Sequence, residues 1–370
     1  MAKLGAFLKA QPVLCISFLA AVVTAFIIPP DRAYLGYCNY TVLIELFALM
    51  TAVAGLRSAG LFERATDALL RKAGNVRRLG LIFLLLTFFA AMLVTNDVAL
   101  LTFVPLTLLV WERIGDEKSR ILTIVLETAA ANLGSMLTPV GNPQNLYLYD
   151  AFSFSAMDFL RLMLPLGLVG LICLLALTLL LPKTPCTAPA GGAASIDRVR
   201  MLAFGALFVV CLLAVLRVLN VFVLLGIAVI LPLLFDRSCL RRVDYALLAT
   251  FVCFFVFVGN ISRMVAVQTF VSDMLTGREL IVSALLSQVI SNVPAAVMLA
   301  GFTQNGSALL LGVDIGGFGT IIASLASLIS FQIYRTAQGA KPGRYMLVFT
   351  GVNVLMLALL LGFSYIFPTT

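Results

Sequence analysis

The sequence predicts an all-α polytopic membrane protein: an inverted repeat with two re-entrant helical hairpins, two broken transmembrane helices and about nine full crossings, or about eleven membrane segments. Of its 370 residues, 62% are hydrophobic and only 11% are charged. The apolar runs recur at membrane-spanning length. Helix-breaking polar residues interrupt several runs at their centres, and the order of these interrupted segments occurs twice along the chain. Together these observations exclude a soluble domain.

Nine apolar runs are expected to cross the bilayer, because each is long enough to span it with some tilt or bending. They cover residues 11–29, 41–57, 121–152, 158–182, 199–219, 221–235, 243–260, 308–334 and 344–367. The first run lacks an A-x-A-like cleavage site and is closely followed by the second, which indicates a retained helix rather than a secretory signal. We therefore expect an integral protein of the cytoplasmic (inner) membrane, surrounded by the lipid bilayer.

Two further apolar segments, 79–111 and 279–302, are predicted to be re-entrant hairpins. Each carries polar residues at its centre, "TND" at 95–97 in the first and "SNVP" at 291–294 in the second. Basic residues flank the first segment on both sides, so its two ends are expected on the same side of the membrane. Each tip would then lie deep in the bilayer.

The distribution of Lys and Arg tests this layout, since the nine spans change sides whereas the two hairpins do not. With the N-terminus in the cytoplasm, only five of the 25 Lys and Arg residues face outwards, namely Arg32, Arg161, Arg217, Arg263 and Arg278. The positive-inside rule therefore places the N-terminus inside and the C-terminus outside. It also explains the net charge of +8 without a nucleic-acid partner.

The interrupted segments divide the chain into two copies of one pattern. Residues 1–182 form the first repeat, with hairpin 79–111 and broken helix 121–152; residues 183–197 form a cytoplasmic linker; and residues 198–370 form the second repeat, with one linking helix, hairpin 279–302 and broken helix 308–334. The first copy enters its hairpin from inside and the second from outside. This inversion is typical of alternating-access transporters.

Each broken helix contains a segment that cannot continue an α-helix. In "TPVGNPQN", residues 138–145, two prolines and a glycine accompany three side-chain amides; its counterpart "GGFGTIIAS", residues 316–324, has three glycines and two hydroxyls. Non-helical backbone at membrane depth is tolerated only where it is buried in protein or lines a cavity. Helix ends and free carbonyls then face ions and substrates, although small residues also serve close helix packing.

The residue types argue against an enzyme. The chain has no histidine, and its seven cysteines lack metal-ligand or C-x-x-C spacing. No cofactor is expected beyond Na+ or H+ as a coupling ion. A channel would share the re-entrant loops, although inverted broken helices with unlike tips favour a carrier, and a receptor or scaffold would have no use for a polar midplane.

Several acids lie within or near apolar segments, and Asp97 stands out among them. A carboxylate at the tip of a re-entrant loop is costly unless it is paired, hydrated or protonated, which makes Asp97 a functional candidate. A compatible alternative is that Asp97 caps the helix that follows it. Glu45, Glu127 and Asp314 lie in or near other spans and are either functional or placed at interfaces.

The order of an Asn-bearing hairpin followed by a broken helix with a T-x-x-G-x-P-x-N-like string, occurring twice, resembles the ion transporter superfamily. This superfamily includes citrate transporters, divalent anion/sodium symporters, arsenite permeases and a class of sodium/proton antiporters. The resemblance covers nearly the whole chain. It implies a homodimer in which hairpins and broken helices move like an elevator against a scaffold.

The resemblance also implies binding residues. Thr95, Asn96, Gly141 and Asn142 would form a first cation site, and Ser291, Asn292, Gly317 and Thr320 a second one, each suited to Na+. The substrate would contact Asn96, Asp97, Asn142, Asn145, Asn292 and Thr320. Asp97 would also carry the coupling proton or cation.

The hairpin tips depart from one branch of the superfamily. Dicarboxylate symporters have Ser-Asn-Thr at both tips, whereas this chain has Thr95-Asn96-Asp97 and Ser291-Asn292-Val293. An Asn-Asp tip resembles the arsenite permease branch. The expected function is secondary active transport of a small anion, a carboxylate or oxyanion, coupled to Na+ or H+. The alternatives are arsenite or antimonite efflux and Na+/H+ antiport, followed by a channel.

Overall fold

The computed structural model describes residues 12–61, 74–186 and 197–367. Most of the predicted linker 183–197 lies outside these ranges. Within them the chain forms 17 α-helices and one short 3-10 helix, Arg32–Gly36. The α-helices are α1 Pro12–Ile27, α2 Tyr40–Ser58, α3 Val76–Leu93, α4 Asn96–Ile114, α5 Glu117–Ser135, α6 Pro143–Ala151, α7 Ala156–Thr178, α8 Arg198–Val215, α9 Val221–Phe235, α10 Ser238–Arg241, α11 Tyr245–Ser262, α12 Val265–Leu275, α13 Glu279–Ile290, α14 Asn292–Ala300, α15 Gly306–Ile315, α16 Leu325–Arg335 and α17 Pro342–Ile366.

The helical fold is that of a polytopic membrane protein. Six of the described helices are long and apolar enough to cross a bilayer: α2, α3, α7, α8, α11 and α17. Large apolar side chains cover the outer surface, and Phe26, Ile172 and Leu347 are 84%, 67% and 76% exposed. Such a surface suits lipid and not water. The predicted number of nine crossings stays a prediction.

The two hairpins and the two broken helices occupy the segments where the sequence predicts them. Hairpin 1 consists of α3 and α4, which meet at Val94 and Thr95; hairpin 2 consists of α13 and α14, which meet at Ser291. Break 1 separates α5 from α6, and break 2 separates α15 from α16. The re-entrant course of the hairpins relative to a bilayer stays a prediction, as do the boundaries of the repeats.

The helices pack in two groups. In the first, hairpin 1 packs against α5 and α16, and hairpin 2 packs against α15 and α6; α7 and α17 lie against α5. In the second, α2 packs against α8 and α9, and α1 packs against α11. Helices α2 and α11 join the groups through α6 and α14 respectively. The hairpins and breaks thus belong to one group, which the second group flanks.

Candidate functional site

Each hairpin tip is hydrogen-bonded to the break of its own repeat. The main-chain N–H of Asn96 donates to the carbonyl oxygen of Gly141 at 3.3 Å, and that of Asn292 donates to Ala323 at 2.9 Å. In both repeats the acceptor directly precedes the residue that begins the second half of the broken helix, Asn142 or Ser324. The two tips therefore dock on their breaks in the same register.

A threonine in each break makes a second, equivalent contact. The hydroxyl of Thr138 donates to the carbonyl oxygen of Met92 at 2.6 Å, and the hydroxyl of Thr320 donates to that of Gln288 at 2.9 Å. Each acceptor lies one helical turn before the tip asparagine of its hairpin. Thr138 thus corresponds to Thr320, so the counterpart of "TPVGNPQN" begins at Thr320 and not at Gly316.

A glycine four residues before each of these threonines packs closely against the hairpin of its repeat. A Cβ atom at Gly134 would lie 2.1 Å from the carbonyl oxygen of Phe88, and one at Gly316 would lie 2.8 Å from the Cα of Ala284. Both distances are too short for any side chain larger than glycine. These glycines allow each hairpin to approach the first half of its broken helix, which brings the tip to the break.

Asn132, a buried residue of α5, joins the two halves of the site. Its Oδ1 accepts from Asn96 Nδ2 and from the hydroxyl of Ser324, both at 3.0 Å, and its Nδ2 donates to the carbonyl oxygen of Gly317 at 3.4 Å. The amide of Asn292 borders Gly317, since a Cβ there would lie 3.1 Å from Asn292 Nδ2. Asn132 thereby connects both tips and both breaks into one polar cluster.

Asn132 is not among the residues predicted from the sequence. Its signal was present, because it is an amide in the otherwise small and apolar stretch "TAAANLG" of a predicted broken helix. A buried amide needs partners, and in an apolar helix those partners belong to a neighbouring element. Thr138 and Gln288 were not predicted either, because their partners also belong to neighbouring elements that the sequence does not identify.

Four helices begin at this cluster without a side-chain bond from their N-cap residues, although in α4 and α14 the side-chain oxygens of Asn96 and Asn292 accept from the next main-chain N–H groups. The N-cap residues of α4, α6, α14 and α16 are Thr95, Asn142, Ser291 and Ser324, and none of them makes a side-chain cap hydrogen bond. By contrast, Asn39, Asn75, Asp116 and Asn305 cap α2, α3, α5 and α15. Uncapped helix N-termini carry partial positive charge and attract anions.

The other predicted residues hold the breaks in shape. Asn142 Nδ2 donates to the hydroxyl of Ser135 at 2.6 Å, and Asn145 Nδ2 donates to the carbonyl oxygens of Ser135 and Thr138 at 3.2 and 3.3 Å. The hydroxyl of Thr320 donates to the carbonyl oxygen of Gln288, and the residue is exposed. Of the predicted substrate residues, Asn96 and Asn292 lie closest to the centre of the cluster.

Asp97 is the second residue of α4 and is half-buried. The alternative that Asp97 is an N-cap is wrong, because Thr95 occupies that position. Among the described residues Asp97 has no ion-pair partner, and Asp244 is the charged group with which it interacts electrostatically. The acid therefore lies beside the tip with no compensating charge among the described residues.

The remaining acids have different surroundings. Glu127 is fully buried, and its Oε1 accepts from the hydroxyls of Thr107 at 2.8 Å and Thr87 at 3.5 Å, which fastens both arms of hairpin 1 to α5. Glu45 is buried in α2, with Asp150 and Arg217 as its charged neighbours. Asp314 Oδ1 accepts from Gln144 Nε2 at 2.9 Å, so α15 of one repeat meets α6 of the other.

The described residues contain no group of three or more His, Cys, Asp or Glu side chains that could hold a metal ion. The oxygen atoms available for an alkali cation are therefore carbonyls, amides and hydroxyls near the breaks, together with single carboxylates. Hard oxygen ligands of this kind suit Na+ and not transition metals.

Comparisons with known proteins agree with this architecture. Residues 7–314 match the model of a family described as citrate transporter. The chain is 31% identical over 333 residues to an uncharacterized transporter of Methanocaldococcus jannaschii, covering 89% of this chain and 90% of that protein. It is 30% identical over 321 residues to the inner membrane protein YbiR of Escherichia coli, covering 85% and 86%.

A shorter match and a solved structure add to these relatives. Over 146 residues, or 39% of this chain and 29% of that protein, the chain is 33% identical to the silicon efflux transporter LSI3 of rice, Oryza sativa subsp. japonica. The crystal structure of the Alcanivorax borkumensis YdaH transporter has the same fold, with a TM-score of 0.59 and 14% identity over 91% of this chain and 88% of that one. The matched length, the relatives and the paired hairpins and breaks lead to one assignment: the chain belongs to the citrate transporter family, within the ion transporter superfamily.

Proposed function

We propose that this protein is a secondary active transporter that moves a small anion, a carboxylate or an oxyanion, across the cytoplasmic membrane together with Na+ or H+. Membership of a transporter family supports the transport reaction. The anionic substrate is supported mainly by the four uncapped helix N-termini at the cluster of Asn96, Asn132 and Asn292. In a low-dielectric site such helix ends stabilise negative charge without carrying a formal charge themselves.

Alternating access of the elevator type fits the packing of the helices. The hairpins and breaks form one group through the contacts of Asn96, Asn132, Thr138 and Thr320, and this group meets the flanking helices mainly through the α2–α6 and α11–α14 contacts. A group that is internally hydrogen-bonded can move as a rigid body against its neighbours. The flanking helices would then form the scaffold and the interface of a homodimer.

A second candidate is efflux of a small hydroxylated species such as arsenite or antimonite. The observation in its favour is Asp97, because an acid with no ion-pair partner among the described residues repels a multiply charged anion at the same tip. A neutral substrate meets no such repulsion. The match to a silicon efflux transporter over part of the chain points in the same direction.

A ligand screen followed by flux measurements tests the proposal. Thermal unfolding of the purified protein is compared in citrate, succinate, sulfate and arsenite, each with Na+ or choline as the added cation, since a bound ligand raises the apparent stability. The stabilising compound is then followed into liposomes under an imposed Na+ or pH gradient. Saturable, gradient-driven accumulation supports the proposal.

Three outcomes of this experiment would contradict parts of the proposal. Flux that does not saturate and does not accumulate substrate against its gradient would indicate a channel. Stabilisation by arsenite alone, with efflux of the neutral species, would favour the second candidate. If the Asn96→Ala protein keeps both substrate binding and flux, the substrate binds elsewhere.

A further inference from the structure

Three buried side chains meet where α15 of the second repeat crosses α6 of the first. Asp314 is 4% exposed, whereas Gln144 and Asn145 are completely buried. Gln144 Nε2 donates to Asp314 Oδ1 at 2.9 Å, and the Asn145 amide, whose Nδ2 donates to the carbonyl oxygens of Ser135 and Thr138, borders the same carboxylate. One oxygen of each side chain, namely Asp314 Oδ2, Gln144 Oε1 and Asn145 Oδ1, has no hydrogen-bond partner in the described part of the chain.

The three side chains border one another, and the oxygen of an amide lies within a few ångströms of any group that its own nitrogen contacts. Buried acceptors without donors are rare in folded proteins, and three together call for a specific explanation. The missing partner must be something that oxygen atoms bind and that the described side chains do not supply.

The charge of the group identifies that partner more closely. The ion pairs of the described residues do not include Asp314, so its negative charge has no counter-charge in the described part of the chain. An isolated charge is strongly unfavourable in the interior. A proton on Asp314 Oδ2 would make this oxygen a donor to one amide oxygen and leave the other amide oxygen without a partner. A monovalent cation would satisfy all three and neutralise the charge.

The other repeat shows that the helix crossing does not require an acid. Asn132 and Asp314 both lie in the first half of a broken helix, two residues before the glycine, Gly134 or Gly316, that packs against a hairpin. Asn132 contacts the second half of the opposite broken helix through Ser324 and Ser327. A neutral amide is therefore sufficient to join the helices, and the carboxylate of Asp314 adds only charge.

We propose that Asp314, Gln144 and Asn145 form a binding site for one Na+ ion. One carboxylate and two amide oxygens are hard ligands, and their single negative charge matches a monovalent cation. The site is distinct from the two cation sites predicted at the hairpin tips and breaks, because it shares no residue with either of them. It rests on the proposed function in one respect, since the bound ion would be a coupling ion of that transporter.

Such an ion would connect two parts of the mechanism. Gln144 and Asn145 lie in the first turn of α6, which begins directly after Asn142 and faces the cluster. A cation held between α15 and this turn would fix the position of the uncapped helix N-terminus. Substrate affinity would then depend on Na+ through the position of α6 and without direct contact between ion and substrate.

Na+ binding by the purified full-length protein tests the site without any transport assay. Thermal unfolding is followed as NaCl replaces choline chloride at constant ionic strength. The wild-type protein should show a saturable rise in Tm with Na+. Asp314→Asn should lose this rise while eluting as a monodisperse folded protein, because asparagine is the residue at the equivalent position 132.

Two further variants keep the test decisive. Gln144→Met retains the length of the side chain but lacks the amide oxygen, so it should weaken the Na+ response. This variant provides the test if Asp314→Asn fails to fold. Glu127→Gln removes another fully buried carboxylate and should leave the response unchanged. A Na+ response that persists in Asp314→Asn, or no response in the wild-type protein, would overturn the site.

Two further outcomes would distinguish the Na+ site from a proton site, and a failure of the site from a failure of the proposed transport function. A wild-type stability that depends on pH and not on Na+, with the pH dependence lost in Asp314→Asn, would show a proton site and overturn the cation. If no substrate is transported in liposomes while the Na+ response depends on Asp314, the proposed function fails and the ion site stands.

Discussion

The hydroxyl of Thr138 lies 2.6 Å from the carbonyl oxygen of Met92, in the last turn of the first arm of hairpin 1. The last carbonyls of a helix have no partner within that helix and need one from elsewhere. The hydroxyl of Thr320 donates in the same way to the carbonyl oxygen of Gln288 in hairpin 2. In both hairpins a threonine hydroxyl of the break thus binds a carbonyl oxygen near the tip. Replacing threonine with valine removes this hydroxyl at almost constant side-chain volume.

Thr138→Val should destabilise the protein by about 1–3 kcal/mol, the usual cost of leaving a buried acceptor without its donor. Thr320→Val should cost less, because the Thr320 side chain is exposed and other groups can reach the carbonyl. Thermal or denaturant unfolding in detergent measures both effects. Thr269→Val is the matched control, since Thr269 donates only within its own helix, to Val265. Equal stability of Thr138→Val and Thr269→Val would contradict the role of this contact.

Asn96→Ala and Asn292→Ala should abolish transport and leave folding and membrane insertion intact. Asn96 supplies the amide that reaches Asn132, and Asn292 supplies the amide beside Gly317, so each truncation removes a polar group from the centre of the cluster. Uptake into liposomes measures the loss. Asn353→Ala removes a buried amide whose Nδ2 donates within α17 and should retain transport. Activity in either tip variant comparable with that of Asn353→Ala would place the substrate outside the cluster.

The segments were predictable from the sequence, whereas the contacts between them were not. Composition and length locate α3, α4, α13 and α14, because a polar tip inside an apolar run marks a hairpin wherever it occurs. Hydrophobic periodicity carries no information on which helix crosses which. The bonds of Asn132 to Ser324 and of Asp314 to Gln144 join different repeats, so they became visible only in the folded chain.

Which residues of the two breaks correspond to each other could not be predicted from the sequence either. Glycine-rich "GGFG" matches "TPVGNPQN" by its capacity to break a helix, whereas the hydrogen bonds match Thr138 to Thr320 and Gly141 to Ala323. A carbonyl acceptor can come from any residue type. The residue at that position is therefore free to be glycine in one repeat and alanine in the other.

Ser291 is expected to be strained in this conformation. Its φ of 77° and ψ of 154° lie in a region that is essentially restricted to glycine, at a cost of about 1–3 kcal/mol for other residues. Ser291→Gly should therefore raise the stability by about 1 kcal/mol. Thr95→Gly is the control from the other tip, where φ is −21° and the left-handed region is not used. A Ser291→Gly protein that is no more stable than the wild type would show that the lost hydroxyl contacts outweigh the strain.

The predicted topology can be tested at the loop between hairpin 1 and α5. A single cysteine at position 116 in a cysteine-free protein should react with impermeant reagents only from the cytoplasmic side, because both ends of a re-entrant hairpin lie there. Asp116 caps α5, so serine and asparagine substitutions there provide controls for folding. Labelling from the outside would show that hairpin 1 crosses the membrane or that the N-terminus is external.

Asp97→Asn should uncouple or abolish transport and weaken its dependence on Na+ or pH. Asp97 lies beside Asn96 at the start of α4, next to the centre where an anion would bind, and its charge has no ion-pair partner among the described residues. An ionised acid at that distance repels an anionic substrate, so a cation or a proton must neutralise it during transport. Since Thr95 is the N-cap, the substitution removes no cap and changes only the charge.

The measurement is uptake by reconstituted Asp97→Asn protein as a function of Na+ concentration and pH, with Asp158→Asn as a control. Asp158 is an exposed acid that also lies in the first turn of its helix, α7. The dipole contribution of either acid is about 0.3–1 kcal/mol, so stability should change equally little in both variants. Wild-type Na+ and pH dependence in Asp97→Asn would show that the acid takes no part in coupling. Loss of that dependence in Asp97→Asn alone would assign the charge at the hairpin tip to the transport cycle.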